Sequence, residues 1–457
     1  MDQTATSATD QLIELWGTLD PWSYDRAAVA DLQLQALQER FSERRDQLPL
    51  LEQRARDEGV DRINSVQDVV PLLFSHTTYK SYPTSFIEKG QWEMMNRWLG
   101  ALSTHPIDDV DLADVDGIDD WIRALREAGH LVLTSSGTTG HSSLMNQTRG
   151  DRALHSRLLA KAPEVIRGAK ADNSYVFFRG GPSHGLNMGS EEAMLLADLY
   201  GRPGESHFIT DADLSTADLD RLARIRKSII EGTAPASEIA KVELEAAERN
   251  AMMEEAIEHW LDRLFDHWGE PIFLYAGHAM MWRILEGGRS RGVADGSLHA
   301  DSVIRTGGGM KGFRGQDDFY NDLEEFFGVD RTRWVFLYGM SELLTQFIRC
   351  IEGNYHFPPT TIPIILDKDG ATMLNRPSGI VEGRAGFFDV TLEGRWGGVI
   401  SGDKLTVDFD ACACGREGPA ITEVSRYVDL SEGDDKLTCA GQIDSYIRGF
   451  VGGDWQA

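Results

Sequence analysis

Apolar positions recur along the chain with two different spacings, and the change between them divides it. In DRAAVADLQLQALQERF (25–41), Leu32, Leu34, Leu37 and Phe41 fall near one stripe with charges elsewhere, which predicts an amphipathic helix. A turn-rich stretch, FSHTTYKSYPTSF (74–86), follows. Short unbroken apolar runs then stand at 131–133 (LVL), 175–178 (YVFF), 271–275 (PIFLY), 303–305 (VIR) and 334–338 (WVFLY). Each reads as a buried strand. The clearest helix among them is AMMEEAIEHWLDRLFDHWG (251–269). Met253, Ile257, Trp260, Leu261 and Leu264 repeat at helical spacing there, and Gly269 is the expected stop. Strands alternating with helices predict an α/β architecture with a largely parallel sheet. From about 360 onward Gly, Asp and β-branched residues dominate, as in IVEGRAGFFDVTLEGRWGGVISGDKLTVDFD. That pattern predicts short antiparallel strands forming a small β-barrel-like part. No internal repeat or low-complexity linker interrupts the chain.

Composition narrows the function classes. At 457 residues the chain is long enough for more than one domain. Its net charge of -28 argues against nucleic-acid binding and against adhesion to anionic lipid, both of which need clustered Lys and Arg. Any anionic ligand must then be held by a local device such as backbone N–H groups. The polar start, MDQTATSATD, has neither the basic nor the apolar region of a secretory leader. No run approaches the length of a membrane span. With only four cysteines, the expectation is a reduced, cytoplasmic protein.

The chemistry begins at LVLTSSGTTGHSSLM (131–145), where a strand opens into glycines and hydroxyls. Ser135, Ser136, Gly137, Thr138, Thr139 and Gly140 can turn sharply and expose amides and hydroxyls to an anion. It is not a Walker A loop, since no Gly-Lys-Ser/Thr follows. Taken alone, an ordinary polar turn fits as well. Three further stretches change that: RTGGGMKG (305–312), FLYGMSELL (336–344) and ISGDKLTVDFD (400–410).

In this order the four stretches resemble the core motifs of the adenylate-forming superfamily. SHTTYKSYP (75–83), SSGTTG, GGGMKG and CACGREGP (412–419) carry a closer resemblance to its acyl-protein synthetase (LuxE-like) and phenylacetate-CoA ligase branch. The resemblance spans about residues 60 to 425. It implies the superfamily's large N-terminal domain, with two αβ subdomains and a small β-barrel-like one. The expected organisation is an N-terminal helical part at 1–125, an ATP- and acyl-binding core at 126–425, and a short tail at 426–457 in place of the usual mobile C-terminal domain.

Such enzymes use ATP and magnesium to join a carboxylic acid to AMP and then pass the acyl group on. The resemblance implies that Ser135, Ser136, Thr138 and Thr139, with Gly137 and Gly140, hold the phosphates. The Lys that usually continues this loop is replaced by His141, Ser142 and Ser143. Gly307, Gly308 and Gly309 would lie against the adenine and the acyl pocket, Tyr338 would stack on the base, and Gly339 and Ser341 would border the α-phosphate. Glu342 matches the magnesium ligand, and Asp403 the acceptor of the ribose hydroxyls. Standing alone, each carboxylate also fits a helix cap or turn. GGPSHGLNMG (180–189) resembles the stretch beside the acyl pocket, where His184 would line the substrate carboxylate; a core histidine is the other reading. The hinge of relatives falls near Arg426 or Asp444, and Lys311 and Lys404 are the nearest cations that could replace the mobile domain's lysine.

Cys350 and His356, with Cys412 and Cys414, form a set similar to one in related phenylacetate-CoA ligases. Two readings are open: a tetrahedral zinc site, or reduced thiols packed as small apolar groups. Cys439 is the remaining cysteine, and the LuxE-like enzymes carry the acyl group on a cysteine near their C-terminus. The expected reaction is therefore acyl-adenylate formation followed by transfer to a thiol, on Cys439 or on an acyl-accepting reductase or carrier protein. Delivery to an amine or to CoA with a partner's help, and a non-catalytic adenylate fold, are the alternatives.

Overall fold

The computed structural model describes residues 6–135, 142–211, 233–307 and 318–427, together with Ile225, Ser228 and Ile229. The chain groups into two compact units. The first comprises residues 1–135, 143–155 and 339–457, and the second 136–142 and 156–338. Strands are numbered along the chain. They begin with β1 (Phe74–Ser75), β2 (Leu133–Ser135) and β3 (Ser143–Met145). The second unit adds β4 (Tyr175–Pro182), β5 (Gly201–Thr210), β6 (Ile272–Tyr275), β7 (Val303–Gly307) and β8 (Val335–Tyr338). Then follow β9 (Phe347–Arg349), β10 (Tyr355–His356), β11 (Thr361–Leu366), β12 (Ile380–Asp389), β13 (Gly398–Asp408) and β14 (Ala420–Arg426).

In the second unit the order is β5-β4-β6-β7-β8, and every pairing is parallel. Strands covered on both faces read as continuous apolar runs, which is why YVFF, IFL and VFL carry no alternation. Phe177 and Phe273 stack across neighbouring strands with centroids 5.5 Å apart. The Met188–Tyr200 helix packs on β4, and the Ala236–Asp266 helix packs on β5. Ile257, Trp260, Leu261 and Leu264 are buried as their spacing predicts, and the Trp260 indole donates to the His207 carbonyl at 3.1 Å. Met253 differs, being 42% exposed: it lies a turn beyond the stretch of helix that meets the sheet. That helix begins much earlier than expected and ends at Asp266 with His267 as its cap, before Gly269.

The first unit is built around antiparallel strands in the order β11-β12-β13-β14-β10-β9, with β1 lying parallel to β13. Its core includes Phe347, Phe357 and Phe387, and a second group in which Trp396 meets Phe41 and Phe388 edge-on. The Arg26–Gln47 helix starts at Asp25, whose carboxylate accepts from the Ala27 and Ala28 amides, and it buries Val29, Ala36, Leu37 and Phe41. Leu32 and Leu34 are only half-buried, because the inward face is set by the seven-residue step from 29 to 36 and then by Leu37 and Phe41. The turn-rich stretch resolves into β1, a 3-10 helix over His76–Lys80 and a short helix over Thr84–Glu88.

One predicted strand changes partners. The run at 131–133 is not part of the parallel sheet; β2 pairs with β3 in a separate antiparallel hairpin flanking the glycine-hydroxyl loop. No described helix is long and apolar enough to cross a membrane.

At the β12–β13 turn the backbones close without room for a side chain. Asp389 donates its amide to the Gly397 carbonyl at 3.0 Å, and a Cβ on Gly397 would run into the Asp389 carbonyl. Gly397→Ala is expected to lower unfolding free energy by about 2–3 kcal/mol. Gly100→Ala, where nothing lies within 4 Å, should change it by less than about 0.5 kcal/mol. Urea unfolding of both variants measures the contrast.

Candidate functional site

The segment after β8, Gly339–Thr345, belongs to the first unit and is held there by two buried charges. Arg395 is 1% exposed. Its Nη2 donates to the Ser341 and Glu342 carbonyls at 3.1 and 3.0 Å, and its Nη1 to the Asn146 carbonyl at 2.8 Å. Asp389, equally buried, accepts from the Leu344 amide at 2.8 Å and from the Thr345 amide and hydroxyl, each at 3.1 Å. The His155 Nδ1 meets the Leu344 carbonyl at 2.7 Å. The backbone on both sides of Glu342 is thus fixed, while its half-buried carboxylate takes no hydrogen bond or ion pair among the described residues. Tyr79, from the 3-10 helix after β1, lies beside this turn. Burial pushes its hydroxyl up to about 12; nearby Arg395 opposes that shift and Glu342 adds to it.

Asp403 sits on β13 opposite Arg426 on β14, and the Arg426 Nε donates to its carboxylate at 3.2 Å. The partially buried carboxylate is backed by a bond from its own amide to the Ser401 hydroxyl at 3.0 Å, while Arg426 is exposed. Lys404 is tied to Glu382 at 2.5 Å. Ser135 ends β2 at the mouth of the hairpin loop.

In the second unit, Gly307 and Tyr338 end neighbouring strands, with Gly307 paired in register to Leu337. A Cβ on Gly307 would stand 3.0 Å from the Leu337 carbonyl oxygen, so only glycine fits this approach without displacement. His184 is exposed, with its Nδ1 2.6 Å from the Ser183 hydroxyl; it is not a core histidine. Ser136, Gly137, Thr138, Thr139, Gly140, Gly308, Gly309, Lys311 and Cys439 lie outside the described residues.

The cysteine set converges within the first unit. Ligand atoms of Cys350, His356, Cys412 and Cys414 all lie within 4.8 Å of one another. The Cys350 and Cys412 sulfurs are 3.9 Å apart, and Cys414 Sγ is 3.3 Å from His356 Nε2. β10 carries His356, and its pairing with β9 and β14 draws the distant stretches together. Burial, reinforced by Arg416, pulls the His356 imidazole down to about 4, which keeps it neutral and able to donate a lone pair. Burial pushes the Cys350 thiol up to about 11. Burial also works on Cys412, but hydrogen bonds from the Cys414 backbone and the Asn354 side chain bring it below the ordinary thiol range.

Arg395, Asp389 and Tyr79 are the residues that sequence reasoning missed. The available signal was a charge standing inside an apolar, glycine-rich run: Arg395 in EGRWGG and Asp389 in GFFDVT. Such a charge is tolerated only where hydrogen bonds offset its burial.

No family model and no curated protein sequence matches the chain. Solved structures do. A 2-hydroxyisobutyryl-CoA ligase in complex with 2-HIB-AMP and CoA, in its thioesterification state, superposes with a TM-score of 0.52 at 13% identity, covering 88% of this chain and 69% of that one. An open conformation of that ligase, also with 2-HIB-AMP and CoA, gives 0.50 at 13% identity, covering 89% and 77%. The chain is therefore a large mixed α/β protein whose fold resembles the adenylate-forming fold.

Removing the buried guanidinium should be felt at once. Arg395→Met leaves three carbonyls without their donor and is expected to cost about 3 kcal/mol or more. Arg123→Ala, which removes an exposed pair with Asp120, should leave the unfolding midpoint nearly unchanged. Chemical denaturation of the two variants checks the difference.

Proposed function

We propose that the protein activates a carboxylic acid with ATP and magnesium, forming an acyl-adenylate, and delivers the acyl group to an acceptor outside the chain. The observation that carries this reading is Glu342: a carboxylate with no partner among the described residues, on a turn whose backbone is fixed by Arg395 and Asp389. One carboxylate, completed by phosphate oxygens, suits magnesium, which seldom takes an all-protein cage. The likeness of fold to a ligase solved with an acyl-adenylate and CoA supports the same reading.

In this proposal a substrate carboxylate oxygen attacks the α-phosphorus, and the bond to the bridging oxygen breaks as pyrophosphate leaves. Placement and charge neutralisation are the protein's contribution. Hydroxyls and amides of Ser135, Ser136, Gly137, Thr138, Thr139 and Gly140 donate to the phosphates. Gly307, Gly308 and Gly309 let the adenine approach the backbone, Tyr338 stacks on it, and Gly339 and Ser341 border the α-phosphate. Asp403 accepts from the ribose hydroxyls, with Arg426 holding its carboxylate in place. Lys311 is the cation assigned to the adenylation step, and His184 borders the acid. A nucleophile on the acceptor then attacks the acyl carbon and AMP leaves. CoA, an amine or a carrier thiol is better supported as acceptor than Cys439, because the superposed ligase structures hold CoA. Membership of the acyl-protein synthetase and phenylacetate-CoA ligase branch is proposed on the motifs.

We assign the Cys350, His356, Cys412 and Cys414 set to a structural zinc. Zinc–sulfur bonds of about 2.3 Å in a tetrahedron give sulfur–sulfur edges of about 3.8 Å, close to the 3.9 Å between Cys350 and Cys412. Three thiolates and one imidazole would leave no open position, so the metal would join the β9–β10 turn to the stretch before β14 rather than act on substrate.

Acid-dependent ATP–pyrophosphate exchange tests the main reading. Wild type should exchange with at least one carboxylic acid, and Glu342→Gln should lower the rate about 100-fold or more. ATP binding without exchange across the acid panel would point to a non-catalytic adenylate fold. Metal analysis of protein purified without chelator should find about one zinc per chain. Cys412→Ser should lose most of it and melt several degrees lower; a metal-free wild type with the same melting point as the variant would leave the thiols as packing groups.

A further inference from the structure

At the carboxyl end of the parallel sheet in the second unit, three residues stand side by side on neighbouring strands. The registers pair Arg179 on β4 with Tyr275 on β6, and Tyr275 with Arg305 on β7. Both guanidinium carbons lie over the Tyr275 ring, Arg179 at 4.0 Å and Arg305 at 4.6 Å from its centroid. The two arginines differ in what neutralises them. Arg305 is 2% exposed and pairs with Glu192 at 2.7 Å; the Tyr275 hydroxyl donates to the same carboxylate oxygen at 3.4 Å. Arg179 has no carboxylate partner among the described residues. Its Nη1 makes a long bond, 3.4 Å, to the Tyr275 carbonyl, and its buried Nε has no acceptor among the described residues.

Two glycines lie against the guanidinium of Arg179. A Cβ placed on Gly181 would stand 3.3 Å from its Nε, and one on Gly189 3.7 Å from its Nη2, so glycines border the guanidinium where side chains would crowd it. A guanidinium held over an aromatic ring, with no carboxylate partner among the described residues, has donors suited to an oxyanion. Open parallel sheets bind their ligands at the carboxyl ends of the strands, which is where Arg179 stands.

Its distance from the residues assigned to the nucleotide decides which part of a substrate it reads. Gly307 and Tyr338 end β7 and β8, and β4 lies two strands from β7, or about 10 Å across the sheet. A group bound by Arg179 is therefore set apart from the adenine, on the strand that leads to His184, the residue assigned to the border of the acid. We propose that Arg179, seated on Tyr275, binds a second anionic group at the far end of the acid, so that the preferred substrates are dicarboxylic acids. This rests on the adenylation reading for the identity of the ligand as substrate, while the anion site itself stands on Arg179 and Tyr275.

The test compares monocarboxylic acids with α,ω-dicarboxylic acids of equal carbon count in ATP–pyrophosphate exchange. Full-length wild type, Arg179→Met and Arg179→Lys are measured. Wild type should favour the dicarboxylic member in kcat/KM by about 10-fold or more, the worth of a charge-assisted bond. Arg179→Met should collapse that ratio, mainly through KM for the dicarboxylic acid, and Arg179→Lys should recover part of it. A wild-type preference for monocarboxylic acids, or an unchanged ratio in Arg179→Met, overturns the proposal. Thermal shift with dicarboxylic acids alone separates the two readings. Stabilisation of wild type but not of Arg179→Met, without exchange, keeps the anion site and removes the adenylation reading. Exchange with monocarboxylic acids and no such stabilisation does the reverse, and neither signal removes both. Should Arg179→Met fail to fold, the wild-type preference and the lysine variant decide.

Discussion

Two buried charges, neither with a side-chain counter-ion among the described residues, fix the turn that carries Glu342 in the first unit. Asp389 and Arg395 bind the backbone instead, the carboxylate accepting from the Leu344 and Thr345 amides and the guanidinium donating to the Ser341, Glu342 and Asn146 carbonyls. A buried charge that lost these bonds would carry a large desolvation cost, so the backbone has one acceptable arrangement. Gly397 is part of that constraint, since its missing side chain lets the strands around Asp389 close. What the arrangement leaves over is Glu342, a carboxylate fixed through its backbone and, among the described residues, unspent at its tip. Preorganisation of this kind suits a group whose task is to meet charge on a ligand.

The second unit reaches a similar end through different physics. Parallel strands run in register, so side chains at their carboxyl ends line up across β4, β6 and β7. In that row Glu192 neutralises Arg305, and Tyr275 holds Arg179 by its ring face, leaving a positive group with no counter-charge among the described residues. A chain with a net charge of -28 repels anions at long range, so recognition of an acid depends on local positive groups of this sort. Arg179 and the glycine-hydroxyl loop are two candidates of that kind.

The cysteine set shows how a small strand can assemble distant residues. Cys350 and Cys412 are separated by a long stretch of chain, yet β10 pairs with both β9 and β14 and carries His356 inward, to 0% exposure. Neither the strand order nor the burial of that imidazole is written in the spacing of the cysteines.

Much of the fold was legible before any coordinates. Parallel strands covered on both faces read as apolar runs, so β4, β6, β7 and β8 were visible, and their alternation with helices implied the α/β class. The β-rich part after 360 was visible from its glycines and β-branched residues, and the cysteine set from its residue types. Partnership was not legible. The run at 131–133 looks like any other strand, and only the hairpin with 143–145 removes it from the parallel sheet. Arg395 and Arg179 look like surface charges in a chain rich in them; one is buried against carbonyls brought from two other segments, the other stacked on a ring from the next strand. Sequence determines which residues prefer to leave water and with what period, because that preference is local. Which groups a buried charge will meet depends on contacts between residues far apart in the chain, and only the tertiary structure decides those.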